Sequence, residues 1–278
     1  MANLYLHIGA HKTGTTALQQ GLHRNRALLR ANDIVYVAAA TATHLHSFLG
    51  NMAPDGFLPG GFHVQDSAIF IQRFFAARAE ATTVIASSEN FSFFFDRRAI
   101  TDLALMLRPL FDRVRIVCYL RRQDRHAVSH HQEGAKPHRY VEGQLWGHQP
   151  TALPHYTLHH DLYLDYNQRL GQWADAFDDE NMIVLPYDRA LLTGGDIFQD
   201  FLTRIGLNVS GLAAVGDRNV SLGAAQTKAG HLMNAANLPA HVAEAILKRI
   251  PAEGRILPSR ADAMAFLDRY RDGNRLLN

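Results

Sequence analysis

Two clusters of residues in this chain have the types and spacing to hold an anion. The first is Gly9-Ala10-His11-Lys12-Thr13-Gly14-Thr15-Thr16, which follows the apolar run 4–8 and precedes a helical pattern. A strand, a glycine-containing turn and a helix N-terminus aim several backbone N–H groups at one point, the arrangement that receives phosphate-like groups. Gly9 and Gly14 admit backbone conformations that side chains obstruct. The hydroxyls of Thr13, Thr15 and Thr16 add donors. The spacing from Gly9 to Gly14 is that of a nucleotide-hydrolysing phosphate loop, G-x-x-x-x-G-K-[ST]. Here, however, Thr15 holds the lysine position, and Lys12 lies inside the loop. The second cluster ends the apolar run 114–120. Arg121 lies where ligands bind in open α/β sheets, and Ser129 follows eight residues later on the next predicted helix. With Asp124 expected as that helix's cap, guanidinium and hydroxyl make a phosphate clamp.

These residues need a scaffold, and the apolar pattern supplies one. Runs 4–8, 83–87, 114–120 and 182–185 read as strands, and 33–37 reads as an edge strand. The last three of the four main runs are nearly continuous apolar stretches, expected to be buried on both faces of a parallel sheet. Helical patterns lie over 16–29 and 125–133. Tyr166, Leu170, Trp173 and Phe177 mark another, and 196–205 opens at an Asp cap and stops at Gly206. The alternation predicts an α/β fold with a central parallel sheet flanked by helices in three layers. Residues 38–68 and 134–163 show no clear period. The tail from Asn219 reads as helices interrupted by Pro239, Pro251 and Pro258. With no repeat or linker, residues 1–278 are expected to form a single domain.

Composition bounds the function. The chain has 278 residues, 47% of them hydrophobic, with 28 Lys+Arg against 26 Asp+Glu. A net charge of +2 excludes the broad positive field of a nucleic-acid binder, so anion recognition must be local. Cys118 is the single cysteine, read as a buried hydrophobe, and it leaves no intrachain disulfide. No run approaches the ~20 apolar residues of a transmembrane segment, and no secretory signal is seen, so the expected location is cytoplasmic. The 16 histidines are unusual. His155 and His159 have i,i+4 spacing but lack the glutamate of a zinc hydrolase helix, so no metal site is expected.

The loop His11-Lys12-Thr13-Gly14-Thr15-Thr16 resembles the 5′-phosphosulfate loop of bacterial sulfotransferases that use 3′-phosphoadenosine 5′-phosphosulfate (PAPS). The pair Arg121 and Ser129 is similar to that family's 3′-phosphate contacts, although Arg122-Gln123 stands where many members have Asn-Pro. The similarity extends diffusely over most of the chain. It implies a P-loop NTPase-like sulfotransferase fold and a PAPS cosubstrate, with adenosine 3′,5′-bisphosphate as product and no required metal. It also implies that Lys12, Thr13, Gly14, Thr15 and Thr16 hold the phosphosulfate, that His11 shapes the loop or meets the sulfate, and that Arg218, Asn219 and Ser221 complete the nucleotide site.

Sulfuryl transfer to a hydroxyl or amine requires a base. Glu89, just past run 83–87, is the first candidate, and His44 and His46 are its rivals. The irregular regions are expected to build a pocket for an acceptor that the sequence does not identify, a carbohydrate or a lipid among the options. Two other functions fit the same loop: a P-loop kinase using ATP and Mg²⁺, and a non-catalytic nucleotide-binding protein.

Overall fold

The computed structural model describes residues 2–37, 67–137, 146–214 and 221–277. The chain divides into two compact units, Met1–Arg121 with Arg169–Arg218, and Arg122–Gln168 with Asn219–Asn278.

The first unit is built on five parallel strands: β1 (Asn3–His7), β2 (Ile34–Val37), β3 (Thr83–Ser87), β4 (Arg113–Leu120) and β5 (Met182–Pro186). Their order is β2-β3-β1-β4-β5. β1 therefore lies at the centre, paired from Asn3 to His7 with both β3 and β4. Helices α1 (Thr15–Arg24), α2 (Arg26–Ala31), α3 (Ser67–Glu80) and α4 (Arg97–Leu107) belong to this unit. One face of the sheet buries Tyr5, Ile85, Val117 and Tyr119 in a cluster with Leu18, Leu22, Leu29, Phe198 and Phe201. Side chains of the opposite register, Leu4, Leu6, Val84, Ala86, Ile116 and Cys118, are buried as well. Burial on both faces explains why the central strands carry apolar residues almost without interruption.

Three local expectations are corrected. The single helix expected over 16–29 breaks at Asn25. Its side-chain amide donates to Gly21 O at 2.9 Å and to Ala213 O at 3.1 Å, and its carbonyl oxygen accepts from Ala213 N at 2.7 Å. Such bonds offer the backbone an alternative to continued helix. β5, expected to be buried on both faces, is an edge strand paired with β4, and none of its five residues is fully buried. Asp124 is not the cap of its helix, which begins at Gln123 after Arg122. Its carboxylate instead accepts from Arg122 Nε at 2.6 Å and Nη2 at 2.7 Å.

The second unit is helical. It contains α5 (Gln123–Glu133), α6 (His159–Leu164) and, beyond the helix α7 (Tyr166–Phe177), the helices Ala224–Ala235, Ala240–Leu247 and Arg260–Asp268. As the proline positions led one to expect, Pro239 caps Ala240–Leu247 and the stretch 251–258 carries no helix. Among the described residues no helix is long and apolar enough to cross a membrane.

Candidate functional site

β1 ends where its neighbours hold the following loop in place. Ile8 N donates to Val117 O at 3.0 Å, Ala10 N to Tyr119 O at 3.1 Å, and Tyr119 N returns a bond to Gly9 O at 2.9 Å. The ladder with β4 thus continues into the loop before the chain turns. Thr13 Oγ1 closes the turn by donating to Ala10 O at 2.6 Å. Lys12 adopts φ 61° and Gly14 φ 80°, both left-handed. For lysine that conformation is costly and persists only where the surroundings impose it. Gly14 is the N-cap of α1, and no side chain among the described residues caps it. The first-turn N–H groups of α1 are therefore left to water or to a ligand.

Three basic side chains surround this turn. Lys12 belongs to it. Arg121, at the end of β4, donates from Nη1 to Lys12 O at 3.4 Å. Arg169, nearly fully buried on α7, lies close enough to act electrostatically on His11 and on Cys118. Cys118 is buried, and burial pushes its thiol up to about 11.

A carboxylate also lies against the loop. Glu89 opens the 3₁₀ turn Glu89–Phe93 just past β3, capped by Ser88, whose Oγ accepts from Asn90 N. Ser92 Oγ donates to Ile8 O at 2.7 Å, tying that turn to the end of β1. The two segments pack so closely that a Cβ on Gly9 would come within 2.6 Å of Ser92 Oγ and 3.1 Å of Glu89 Cα. Gln19, fully buried on α1, donates from Nε2 to Glu89 Oε2 at 2.8 Å and to Ser87 Oγ at 3.3 Å. Ser87 Oγ shares a further hydrogen bond with His7 Nδ1 at 2.8 Å.

The two histidines here are neutral at neutral pH. Burial pushes His7 down to about 4 against the opposing pull of Glu89. It does the same to His11, again to about 4, with Glu89 and an Asn90 hydrogen bond opposing and Arg169 and Lys12 adding to the depression. His11 is therefore an uncharged imidazole, and its ring packs on Phe93 at 4.5 Å.

The first unit thus brings His11, Lys12, Thr13, Gly14, Thr15, Thr16, Arg121 and Glu89 to the C-terminal edge of one parallel sheet. Ser129 lies on α5 and Ser221 shortly before Ala224–Ala235, both in the second unit. His44, His46, Arg218 and Asn219 lie outside the described residues. The described part of 134–163 contributes Pro150 to Tyr156 to a cavity of about 620 Å³ within the second unit, which Lys228, Phe266 and Arg269 also line. Sequence reasoning missed Gln19, His7 and Arg169. Gln19 was within reach, because it sits one helical turn after Thr15 on a helix already assigned to the loop. Arg169 gave no local signal.

No family model matches the chain. An uncharacterized protein of Archaeoglobus fulgidus is 31% identical over 96 residues, which are 34% of this chain and 23% of that protein. The chain thus matches less than a quarter of that relative's length. Among solved structures, a sulfotransferase from Alicyclobacillus acidocaldarius is similar over 90% of this chain and 97% of that one, at 16% identity and a TM-score of 0.46.

Proposed function

We propose that this protein transfers a sulfuryl group from PAPS to a hydroxyl or amine of an acceptor. The observation that carries the reading is the loop itself: a lysine held left-handed inside a turn that leads into an uncapped helix. Its neighbours include Arg121 and Glu89. Such a site suits a nucleotide with two anionic groups and a proton-losing acceptor. The sulfuryl group carries a single charge, so one lysine and backbone donors supply the neutralisation that a terminal phosphate takes from lysine and metal together.

In this reading the bond from sulfur to the 5′-phosphate oxygen breaks as the acceptor oxygen or nitrogen bonds to sulfur. Lys12 and the N–H groups of Thr15 and Thr16 stabilise the charge that collects on the departing phosphate. Arg121 holds the 3′-phosphate, a role the sequence resemblance shares with Ser129. Glu89 receives the acceptor's proton, and adenosine 3′,5′-bisphosphate leaves. The same proposal takes residues 1–278 as one catalytic domain working in the cytoplasm without a metal. Incubation with ³⁵S-labelled PAPS and a panel of sugar, phenol, amine and lipid-alcohol acceptors tests it. Label is expected on at least one acceptor and is expected to disappear with Lys12→Ala. Labelling that persists undiminished in Lys12→Ala rejects the assigned loop.

A further inference from the structure

We infer that Gln19 is the positioning residue for the Glu89 carboxylate, and that α1 thereby sets the anion loop and the base in register. This inference rests on the sulfuryl-transfer reading above and deepens it. Gln19 is completely buried, yet it projects a polar amide rather than an apolar chain into the contact of α1 with the sheet. Its Nε2 hydrogens have two acceptors, Glu89 Oε2 at 2.8 Å and Ser87 Oγ at 3.3 Å. The second bond fixes the amide plane from which the first is given. Ser87 is itself pinned through His7 Nδ1, so amide, hydroxyl and imidazole form one chain from the end of β1 to the carboxylate. Gln19 Oε1 has no hydrogen-bond partner among the described residues. A buried amide left with an unused acceptor costs free energy, which the donor side must justify.

Register explains why this residue and not another. Gln19 lies four positions after Thr15, hence on the same side of α1 and one turn below the N-terminus that faces the loop. A shift of α1 would move the anion donors and the base's anchor together. Gln19 touches neither substrate in this account and acts through Glu89. It holds Glu89 in the orientation from which the carboxylate takes a proton, and such fixing of geometry is a recognised share of catalytic rate.

The test measures release of adenosine 3′,5′-bisphosphate from PAPS with phenol, which keeps its proton at neutral pH, as the probe acceptor. Glu89→Gln is expected to lower kcat by about 10²-fold or more. Gln19→Met keeps the volume and removes the donor, and it is expected to lower kcat by about tenfold with KM for PAPS within about twofold. Combined with Glu89→Gln, Gln19→Met should add less than about twofold, because its effect passes through that carboxylate. Should Gln19→Met fail to fold, Ser87→Ala loosens the same amide and should lower kcat about threefold at unchanged KM. An unchanged kcat in Gln19→Met, a full tenfold loss persisting on top of Glu89→Gln, or a matching rise in KM each overturns the role of Gln19. A Glu89→Gln variant as active as the wild type overturns instead the choice of base.

Discussion

Histidine is abundant in both compact units, and it does different work in each. In the first unit His7 and His11 lie within the field of the Glu89 carboxylate, and each also has a polar side-chain partner, Ser87 and Asn90. In the second unit several imidazoles pack on rings. His131 and His231 stack at 4.1 Å with 19° between planes, and His160 stacks on Trp146 at 4.9 Å and 15°. His126 and His130 both pack edge-on to Tyr163. Burial depresses His131 to about 4 and His231 to about 3, and for His231 the further contributions are other imidazoles rather than a carboxylate. The same residue type thus lies beside a carboxylate at His7 and His11 and is stacked on another ring at His131, His160 and His231.

Breaking the polar side of that contrast should have the largest effect. Lys12→Ala is expected to reduce sulfuryl transfer by about 10³-fold, as loss of a charge-stabilising donor does, read as turnover of labelled PAPS by a protein whose thermal unfolding is unchanged. Arg121→Ala should mainly weaken binding, raising the Kd for adenosine 3′,5′-bisphosphate by about 10- to 100-fold in calorimetric titration, the range for one charged hydrogen-bonding group. Gly14→Ala forces a side chain onto φ 80° and against the Tyr187 ring at 3.1 Å. It should cost about 1–3 kcal/mol in denaturant unfolding.

The aromatic side of the contrast should appear in stability and not in activity. His131 and His231 are neutral when folded and take up protons on unfolding, because their folded values lie below the ordinary 6.5. The unfolded chain therefore binds more protons in this window, and stability falls as pH drops below 6.5 towards 4. For His231 the loss between pH 7 and pH 5 should be about 2 kcal/mol. His231→Leu should remove that share of the acid sensitivity in unfolding curves at the two pH values. The same variant should leave PAPS turnover within about twofold of the wild type; a larger fall would bring the second unit's rings into the chemistry.

Much of the scaffold could be read from the residues alone, and the reasons are local. Strand 83–87 has the predicted bounds because Val84, Ile85 and Ala86 form an uninterrupted apolar run in a buried parallel strand. Asp196 caps the following helix as read, accepting from Phe198 N and Gln199 N. The loop around Lys12 was legible because glycine, lysine and threonine spacing encodes a backbone shape. α4 was overlooked although Ile100, Leu103, Ala104 and Leu107 lie on one face of it. α3 offered little, since Ile69, Phe70, Phe74 and Phe75 put apolar residues around much of its circumference. The edge position of β5 is set by pairing, which an apolar run does not encode. The bond from Gln19 to Glu89 joins residues seventy positions apart, and no spacing rule reaches that far.

Thermal unfolding with adenosine 3′,5′-bisphosphate, compared with ATP and Mg²⁺, tests the central claim most directly. A ligand at 100 times its Kd stabilises the folded state by about 2.7 kcal/mol. The account predicts a rise in Tm with the bisphosphate that Arg121→Ala largely removes, and little response to ATP and Mg²⁺. A rise with ATP and Mg²⁺ alone, or a bisphosphate response that survives in a Lys12→Ala, Arg121→Ala double variant, would contradict it.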